Sequence, residues 1–406
     1  MRNHIRWNRR ARLYLGGACL CIVALTVAVI RLASGGEAAL AGPANAGRGD
    51  ALRDDATANP FDDAEPGASG FDGRVDREQL IKDYLEWLQY PPDSRPLFAS
   101  HVDRIEYRRI AAPLQPMPAT VDGEVRRSDF SCLLQPEHHS VLETERMRVF
   151  LSCTRTGERA ATAIRLRDYR LEARAGERRF RPAPPAVNDA GENGDEVAGD
   201  RVLTFEFRPS AKDWGDMHLT VNFEIPGDAA DATYSLTTHF FSSPTTPARF
   251  TGQFREELRD GSLLVEAGMR VERAGPYTIE ANLMNADGEP VAYARAEVNL
   301  KAGVQFVPLS FYGKILRDAN QSGPFRVVGL RGELNTDVIQ PEVLARSPAE
   351  VERFLAGVRD DRPKRMLVPY FTGTHTTARY DLSAFTDAEY DSIEKTRRLS
   401  ELSALP

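Results

Sequence analysis

The 406-residue sequence contains few of the residues and motifs from which enzymes and metal sites are usually built. It has four cysteines and seven histidines, and no histidine lies in an HExxH motif or at the cysteine–histidine spacing that zinc requires. The sequence contains no GxSxG, GxxxxGK[ST] or GxGxxG motif, so it indicates neither a nucleophile elbow nor a nucleotide-binding loop. An enzymatic site would have to come from residues that folding brings together.

The sequence also lacks an excess of positive charge, because its formal net charge is −7 at pH 7. Arginines are frequent but are interleaved with acidic residues, which is typical of a solvated surface and argues against a nucleic-acid partner. The hydrophobic content of 42% and the charged content of 27% are those of a globular chain. The length indicates two or three domains.

One long uncharged segment, Leu13–Ile30, follows five arginines near the N-terminus. It is long enough to cross the apolar core of a bilayer, and the preceding positive charge favours a cytoplasmic N-terminus. We therefore expect residues 1–33 to form a basic stub and a transmembrane helix, a single-pass anchor in the inner membrane with the other domains in the periplasm. Alternatively, cleavage of a signal peptide near Ala41 would yield a secreted protein.

The segments on either side of the predicted β-domains have helical or disordered character. Residues 34–74 are rich in Ala, Gly, Asp and Pro and are expected to form a disordered tether. The sequence Asp76-Arg77-Glu78-Gln79 resembles a capping box and predicts an amphipathic helix over 75–92. In a C-terminal extension, 346–406, two short helices are expected to begin near Ser347 and at Thr386. Between them, an extended piece is expected either to add a strand or to lie over the surface of a domain.

The stretch from Gly275 to Glu333 has the two-residue period of β-strands. Ile279 and Leu283 alternate with Glu280 and Asn282, which are expected on a solvated face, and turn residues separate such runs at regular spacing. The sequence therefore predicts an all-β fold: two tandem antiparallel β-sandwiches with an N-terminal transmembrane helix and short flanking helices. The sandwiches are expected at 99–244 and 249–345, because the Pro- and Ser-rich stretch between them interrupts a strand ladder.

Three sequence segments resemble those of a known family: GPYTIEANLMNADGEPVAYARAEVNLKAGVQFVPLSFYGKILRDA, GPFRVVGLRG and NDAGENGDEVAGDRVLTFEF. They resemble the choice-of-anchor X family of exported bacterial proteins, and the resemblance extends from about Tyr84 to the C-terminus. It implies a string of immunoglobulin-like domains and no particular chemistry. The third, acidic segment departs from the family pattern at Asp200-Arg201 and Leu203, where the family has Asp-Gly and then an aromatic residue.

Two cysteines lie on apolar strand faces of the folded part. Cys132 shares a face with Phe130 and Leu134, and Cys153 shares a face with Leu151. Export would place both in an oxidising compartment, where a Cys132–Cys153 disulfide is the natural state. The alternative is a pair of buried free thiols.

The acidic stretch is the candidate metal site. Five residues with oxygen donors lie in a glycine-bearing segment: Asn188, Asp189, Asn193, Asp195 and Asp200. Ca²⁺ binds six to eight such oxygens in flexible loops, so calcium is the candidate cofactor. The spacing matches no EF-hand, however, and the same residue types are typical of a long solvated turn.

These observations favour a non-enzymatic binding or structural module of the cell envelope. Such a module would contact the membrane through Leu13–Ile30 and bind a protein or glycan partner through loops or an edge strand. The alternative is a hydrolase-type envelope enzyme whose site is assembled only in the fold.

Overall fold

The computed structural model of the protein describes residues 76–110, 112–121, 124–175, 178–228, 232–336, 347–357 and 363–404. The predicted membrane segment Leu13–Ile30, the predicted tether and the predicted cleavage site near Ala41 lie outside these residues. Within them, every helix is too short or too polar to cross a bilayer.

The described part of the chain is mostly β-structure, as the alternating pattern predicted. Its strands are β1 (Ser94–Pro96), β2 (Gln115–Val121), β3 (Glu124–Pro136), β4 (Ser140–Leu142), β5 (Met147–Arg155), β6 (Arg165–Ala175), β7 (Arg178–Phe180), β8 (Ala186–Asn188), β9 (Leu203–Phe207), β10 (Gly215–Glu224), β11 (Tyr234–Ser243), β12 (Ala248–Arg259), β13 (Ser262–Val271), β14 (Gly275–Met284), β15 (Pro290–Leu300), β16 (Gly303–Phe311), β17 (Arg326–Asn335), β18 (Arg365–Val368) and β19 (His375–Thr376). Its helices are α1 (Arg77–Trp87), α2 (Val102–Ile105), α3 (Gly313–Asp318), α4 (Pro348–Gly357) and α5 (Ile393–Ser403), with a 3₁₀ turn at Leu382–Ala384.

The strands form four sheets. Sheet I has the order β1-β15-β14-β17-β18, with β19 also paired to β17, and sheet II has the order β12-β13-β16. Sheet III has the order β2-β3-β5-β9-β8, and sheet IV has the order β4-β11-β10-β6-β7. All pairings between these strands are antiparallel except that of β4 with β11, which is parallel.

The chain divides into two compact units. The larger unit, Trp87–Ser347 and Gly357–Ser392, contains all four sheets. Among the described residues, the smaller unit consists of 76–86, Pro348–Ala356 and 393–404. Within this smaller unit, the Gln79 backbone N–H donates a hydrogen bond to Asp76 Oδ1 at 3.1 Å, which caps the N-terminus of α1.

Two hydrophobic cores hold the sheets together. The first is built from the inward side chains of sheets III and IV, among them Leu151 of β5 and Val221 of β10. The second is built from sheets I and II, among them Ile279 of β14 and Leu309 of β16. Each such side chain contributes about 1.5–3 kcal/mol on burial, so the alternation of apolar residues determines which face turns inward. This is a β-sandwich fold.

Sheet I also contains short strands that precede and follow its long strands β14, β15 and β17 in the sequence. β1 pairs with β15 at one edge, with Arg95 opposite Tyr293. At the other edge, β18 and β19 of the C-terminal extension pair with β17, which confirms that the extended piece adds strands. The alternation pattern did not predict β1, because three residues are too few to show a period.

The structure corrects two expectations. The last helix begins at Ile393 rather than at Thr386, because the Thr386 N–H donates to Gly261 O at 2.9 Å and the segment stays extended.

Asn282 was expected in solvent, yet it is 1% exposed and donates its Nδ2–H to Arg104 O at 2.8 Å. Residues around α2 cover this part of the outer face of sheet I, where Leu97 and Tyr293 belong to a small apolar cluster.

Candidate functional site

A groove of about 400 Å³ opens on the outer face of sheet I, and we call it the arginine groove. It is lined by Asp103, Arg104, Tyr107, His139, Thr278, Glu280, Arg295, Arg331, Gly332, Glu333, Arg365, Leu367, Val368 and Tyr370. These residues come from the α2 region, the β3–β4 turn, strands β14, β15, β17 and β18, and the chain just after β18.

Strand register creates a row of alternating charge along the floor of the groove. Glu280 of β14 lies opposite Arg295 of β15 on one side and opposite Arg331 of β17 on the other. Ile279 and Ala281, the neighbours of Glu280 along the strand, are fully buried in the second core. Since adjacent residues of a strand point to opposite faces, the charged row points outward into the groove.

Glu280 organises the polar contacts of the groove. Its Oε2 accepts the Arg331 Nε–H at 2.8 Å, and its Oε1 accepts a hydrogen bond from the Tyr293 hydroxyl. Burial and this bond to the carboxylate raise the pKa of Tyr293 above its usual value. The Arg331 Nη1–H donates to Gly329 O at 3.0 Å, so the least exposed arginine of the groove has a structural role.

The tyrosine rings of the groove are covered by arginines. The guanidinium of Arg104 lies 4.4 Å from the Tyr293 ring centroid, and that of Arg331 lies 5.0 Å from the Tyr107 centroid. Such cation–π contacts orient the arginine side chains. They also occupy ring faces on which a sugar would otherwise stack.

Three arginines of the groove remain accessible. The side chains of Arg104, Arg295 and Arg365 are 43%, 44% and 44% exposed. Each also has a carboxylate neighbour, at 3.7 Å from Arg104 (Glu280), 2.7 Å from Arg295 (Glu297) and 2.8 Å from Arg365 (Glu333). Four arginines and three carboxylates line the groove, a net charge of +1 from these side chains. The groove can therefore donate several hydrogen bonds to an anionic group, because a guanidinium matches a carboxylate in a bidentate manner.

One serine–histidine contact lies beside the groove. Ser140 Oγ is 3.5 Å from His139 Nε2 and 3.0 Å from the Tyr370 hydroxyl. Burial lowers the pKa of His139 and raises the pKa of Tyr370. Ser140 is 1% exposed, so a substrate does not reach its hydroxyl in this conformation.

The acidic loop lies between β8 and β9, and most of its polar side chains bond to its own backbone. Asp195 is buried and accepts hydrogen bonds from the Gly191 N–H at 2.7 Å and the Thr204 hydroxyl at 3.1 Å. The other contacts join Asn188 to Ala190, Asp189 to Arg201 and Asp200 to Val202, while Asn193 takes a positive φ of 49°. In the parts of the chain that the structure describes, no group of three or more His, Cys, Asp or Glu side chains is placed to hold a metal ion. Calcium binding at this loop stays a prediction.

The structure confirms the predicted disulfide. Cys132 of β3 and Cys153 of β5 lie directly opposite each other, and their sulfur atoms are bonded at 2.03 Å. Both cysteines are fully buried in the first core. The bond joins two neighbouring strands of sheet III.

Sequence reasoning did not identify the arginine groove. The outward position of Glu280 and Arg295 followed from strand alternation, but charged residues on an outer face are usually solvated. The signal that distinguishes the groove is the approach of Tyr107 and Tyr370, whose ring centroids lie 5.2 Å apart. These residues are more than 250 positions apart in the sequence, and only the tertiary fold brings them together.

The packed sheets and the arginine groove define the chain as a β-sandwich protein with a candidate binding surface. No family model matches the chain, and no curated protein matches it. Among solved structures, the chain is similar to a DUF4785 family protein from Legionella pneumophila, with 14% identity and a TM-score of 0.35. That similarity covers 50% of this chain and 53% of the Legionella protein, so the chain spans about half of its length.

Two more distant similarities involve animal proteins. The FN1-FN3 domains of chicken CNTN1 match with 10% identity and a TM-score of 0.22, over 66% of both chains. A marsupial T cell receptor matches with 10% identity and a TM-score of 0.19, over 52% of this chain and 68% of the receptor. These similarities carry no argument about function, and membership of the choice-of-anchor X family stays a prediction.

Proposed function

We propose that the protein is a membrane-anchored envelope protein whose tandem immunoglobulin-like β-sandwiches form a non-enzymatic binding module. The arginine-led segment Leu13–Ile30 supports an inner-membrane anchor, with the sandwiches at 99–244 and 249–345 in the periplasm. The Cys132–Cys153 disulfide supports an oxidising compartment. Secretion after cleavage near Ala41 is the alternative localisation, and choice-of-anchor X is the proposed family.

The observation that carries the binding function is the set of exposed arginines in the arginine groove. Arg104, Arg295 and Arg365 present guanidinium groups around a groove with a net positive charge. Such groups bind carboxylates through paired hydrogen bonds. We therefore propose a protein partner that inserts an acidic segment, rather than a neutral glycan.

The covered faces of the tyrosine rings favour a peptide over a glycan as the ligand of the groove. Glycan sites commonly offer an open aromatic face, whereas here Arg104 covers Tyr293 and Arg331 covers Tyr107. The groove thus offers hydrogen-bond donors and charge but little open ring surface. Binding dominated by exposed charges is weakened by salt, because the Debye length is only about 10 Å at 0.1 M ionic strength.

The test is a titration of the purified protein with a fluorescein-labelled peptide of alternating glutamate and glycine, followed by fluorescence anisotropy. We expect saturable binding that weakens as salt is raised from 50 to 300 mM. The double variant Arg104→Gln/Arg365→Gln should weaken binding about tenfold or more, since each charge-assisted hydrogen bond contributes about 1.5–3 kcal/mol.

The matched control is Arg255→Gln. Arg255 packs over the Phe306 ring at 3.7 Å on sheet II and does not line the groove. Equal binding by the groove variant and the control variant, or equal binding of a peptide with glutamine in place of glutamate, would refute the proposed ligand class. Photo-crosslinking from position 107 in intact envelopes would then identify the natural partner.

The alternative function, a hydrolase-type envelope enzyme, would use Ser140 and His139. Their 3.5 Å contact favours it, and the burial of Ser140 weighs against it. Steady-state hydrolysis of p-nitrophenyl acetate by the purified protein, abolished by Ser140→Ala, would favour the enzyme. Hydrolysis at the same rate by Ser140→Ala and the parent protein would exclude this serine as the nucleophile.

Two measurements address the remaining proposals. The intact mass of protein extracted from the envelope distinguishes a retained N-terminus from one cleaved near Ala41.

Calorimetry with Ca²⁺ tests the acidic loop, where binding would also raise the melting temperature. Heat that persists in an Asp189→Asn/Asp200→Asn variant would place the calcium elsewhere.

A further inference from the structure

Two histidines face each other on the outer face of sheet IV. His218 of β10 lies directly opposite His239 of β11, and their ring centroids are 6.2 Å apart. Met217 and Leu219 are buried in the first core, so His218 points away from that core. His239 points the same way, because Phe240 beside it is also in that core.

The two imidazole rings are not committed to other partners. In the described parts of the chain, neither ring takes part in a hydrogen bond or an ion pair, and each has the other as its ring contact. By comparison, Thr220 and Thr237 in the neighbouring cross-strand position bond to each other at 3.0 Å. The nitrogen lone pairs of the histidines are therefore available to a ligand.

The charged groups around the pair are nearly balanced. Glu172 of β6 lies opposite His218 on its other side, and Asp216 lies opposite Arg174 in the adjacent row. Burial and the nearby Arg174 lower the pKa of His218, which favours the neutral imidazole at pH 7. A neutral imidazole is the form that ligates metals.

We propose that His218 and His239 form a two-histidine chelate for a divalent transition-metal cation such as Zn²⁺ or Cu²⁺. Two metal–nitrogen bonds of about 2.0 Å at a tetrahedral angle place the ring centroids roughly 5 Å apart, so the rings, whose centroids are 6.2 Å apart here, would approach by about 1 Å on binding. Imidazole suits Zn²⁺, Ni²⁺ and Cu²⁺, whereas Mg²⁺ and Ca²⁺ prefer oxygen ligands.

The protein supplies two ligands at this site, and water completes the coordination shell. In the described parts of the chain, no third His, Cys, Asp or Glu side chain is placed to complete a protein-only metal site. Glu172 is a neighbouring charge rather than a ligand, and it also lies 3.7 Å from Arg170 and 3.8 Å from Arg181. An incomplete protein shell predicts affinity weaker than that of a structural zinc site.

The test is isothermal titration calorimetry on the full-length chain, purified through a cleavable tag that contains no histidine. ZnCl₂ and CuCl₂ should each bind with one-to-one stoichiometry at this pair, Cu²⁺ more tightly than Zn²⁺, and MgCl₂ should not compete. Binding should weaken steeply below about pH 6, because protonated imidazoles do not ligate.

Variants then assign the site. His218→Asn and His239→Asn should each weaken Zn²⁺ binding about a hundredfold, because either one removes the second arm of the chelate. The control His101→Asn, at a histidine that packs against Phe98 outside this sheet, should leave the affinity unchanged. Glu172→Gln should change it only a few-fold.

Folding of each variant is checked by far-UV circular dichroism, and His239→Gln provides a second substitution at the more exposed histidine. Zn²⁺ affinity that is unchanged in both His218→Asn and His239→Asn would overturn the proposal. So would the absence of Zn²⁺ and Cu²⁺ binding at millimolar metal. Loss of binding in Glu172→Gln equal to that in the histidine variants would overturn the two-ligand assignment.

Discussion

Glu256 of β12 forms a hydrogen bond with His375 of the C-terminal extension, with 2.8 Å between the carboxylate Oε2 and the imidazole Nε2. The other carboxylate oxygen accepts hydrogen bonds from the Ala378 N–H at 2.6 Å and the Tyr380 hydroxyl at 3.2 Å. The His375 ring also stacks on Phe254, with ring centroids 4.5 Å apart. One carboxylate thus fixes the segment that begins with β19.

Glu256→Gln should loosen this segment. The amide keeps the shape but replaces charge-assisted hydrogen bonds by neutral ones and places an NH₂ beside a donor, so we expect a loss of about 1–3 kcal/mol in the free energy of unfolding. Urea denaturation measures the loss, and hydrogen exchange should accelerate first in residues 375–380. Glu257→Gln is the control, because that side chain is 53% exposed. Equal effects of the two substitutions would contradict the assigned role.

The disulfide should contribute strongly to the stability of the first core. It closes a loop between residues 21 positions apart, and the chain-entropy relation gives about 3 kcal/mol for a loop of this size. Dithiothreitol should therefore lower the melting temperature of the parent protein. The same reductant should leave a Cys132→Ala/Cys153→Ala variant unaffected. A parent protein with the same melting temperature in both conditions would show that the bond contributes little.

Gly329 should tolerate alanine poorly because the Tyr107 ring approaches it closely. Its φ is +62°, and a Cβ at this position would lie 2.9 Å from Tyr107 Cε1. Gly199 has a similar φ of +72° but no atom within 4 Å of a Cβ, so Gly199→Ala measures the backbone strain alone. We expect Gly329→Ala to destabilise the protein by about 1–3 kcal/mol more than Gly199→Ala in urea denaturation, the usual cost of overpacking.

The Gly329 comparison also reports on the arginine groove. Displacement of the Tyr107 ring should release the Arg331 guanidinium that packs over it. Binding of an acidic peptide should then change in Gly329→Ala and remain unchanged in Gly199→Ala. Identical stability losses in the two variants would mean that the ring adjusts without cost.

Tyr90 should make the fold sensitive to alkaline pH. Burial and the hydrogen bond from its hydroxyl to Asp318 raise the pKa of Tyr90 to about 12. The unfolded chain therefore loses this proton from about pH 10, whereas the folded chain retains it until about pH 12. The resulting stabilisation is complete below about pH 10 and is lost as the pH rises towards 12.

Melting temperatures measured from pH 8 to pH 11.5 test this dependence. Tyr90→Phe should be less stable than the parent protein at pH 8 by about 1 kcal/mol, the net contribution of one hydrogen bond. The stability of Tyr90→Phe should also fall less steeply above pH 10. Parallel curves for the two proteins would exclude Tyr90 as a contributor to the alkaline transition.

Strand faces could be predicted from the sequence because the two-residue period is local. The faces of Cys132 and Cys153, for example, follow from their immediate neighbours, and the structure places both in the first core. The start of the last helix could not be predicted in this way. Thr386 has a favourable helix-capping sequence, but its N–H bonds to Gly261, which is 125 positions earlier in the chain.

The candidate site could not be predicted from the sequence for the same reason, because its residues meet only in the folded protein. Arg295, Glu280 and Arg331 form one row only after the register of three strands has been set. That register depends on packing between sheets, which no local pattern contains. Likewise, His218 and His239 are unremarkable in the sequence and become a pair only through the β10–β11 pairing.

The two edges of sheet I come from opposite ends of the folded chain, with β1 at residues 94–96 and β18 at residues 365–368. During synthesis, strand β17 therefore lacks its outer neighbours until residues 365–376 have been added to the chain. A product truncated before residue 365 would leave the backbone N–H and C=O groups of β17 open to other chains. Premature termination or C-terminal proteolysis should accordingly yield material that self-associates through this unprotected strand.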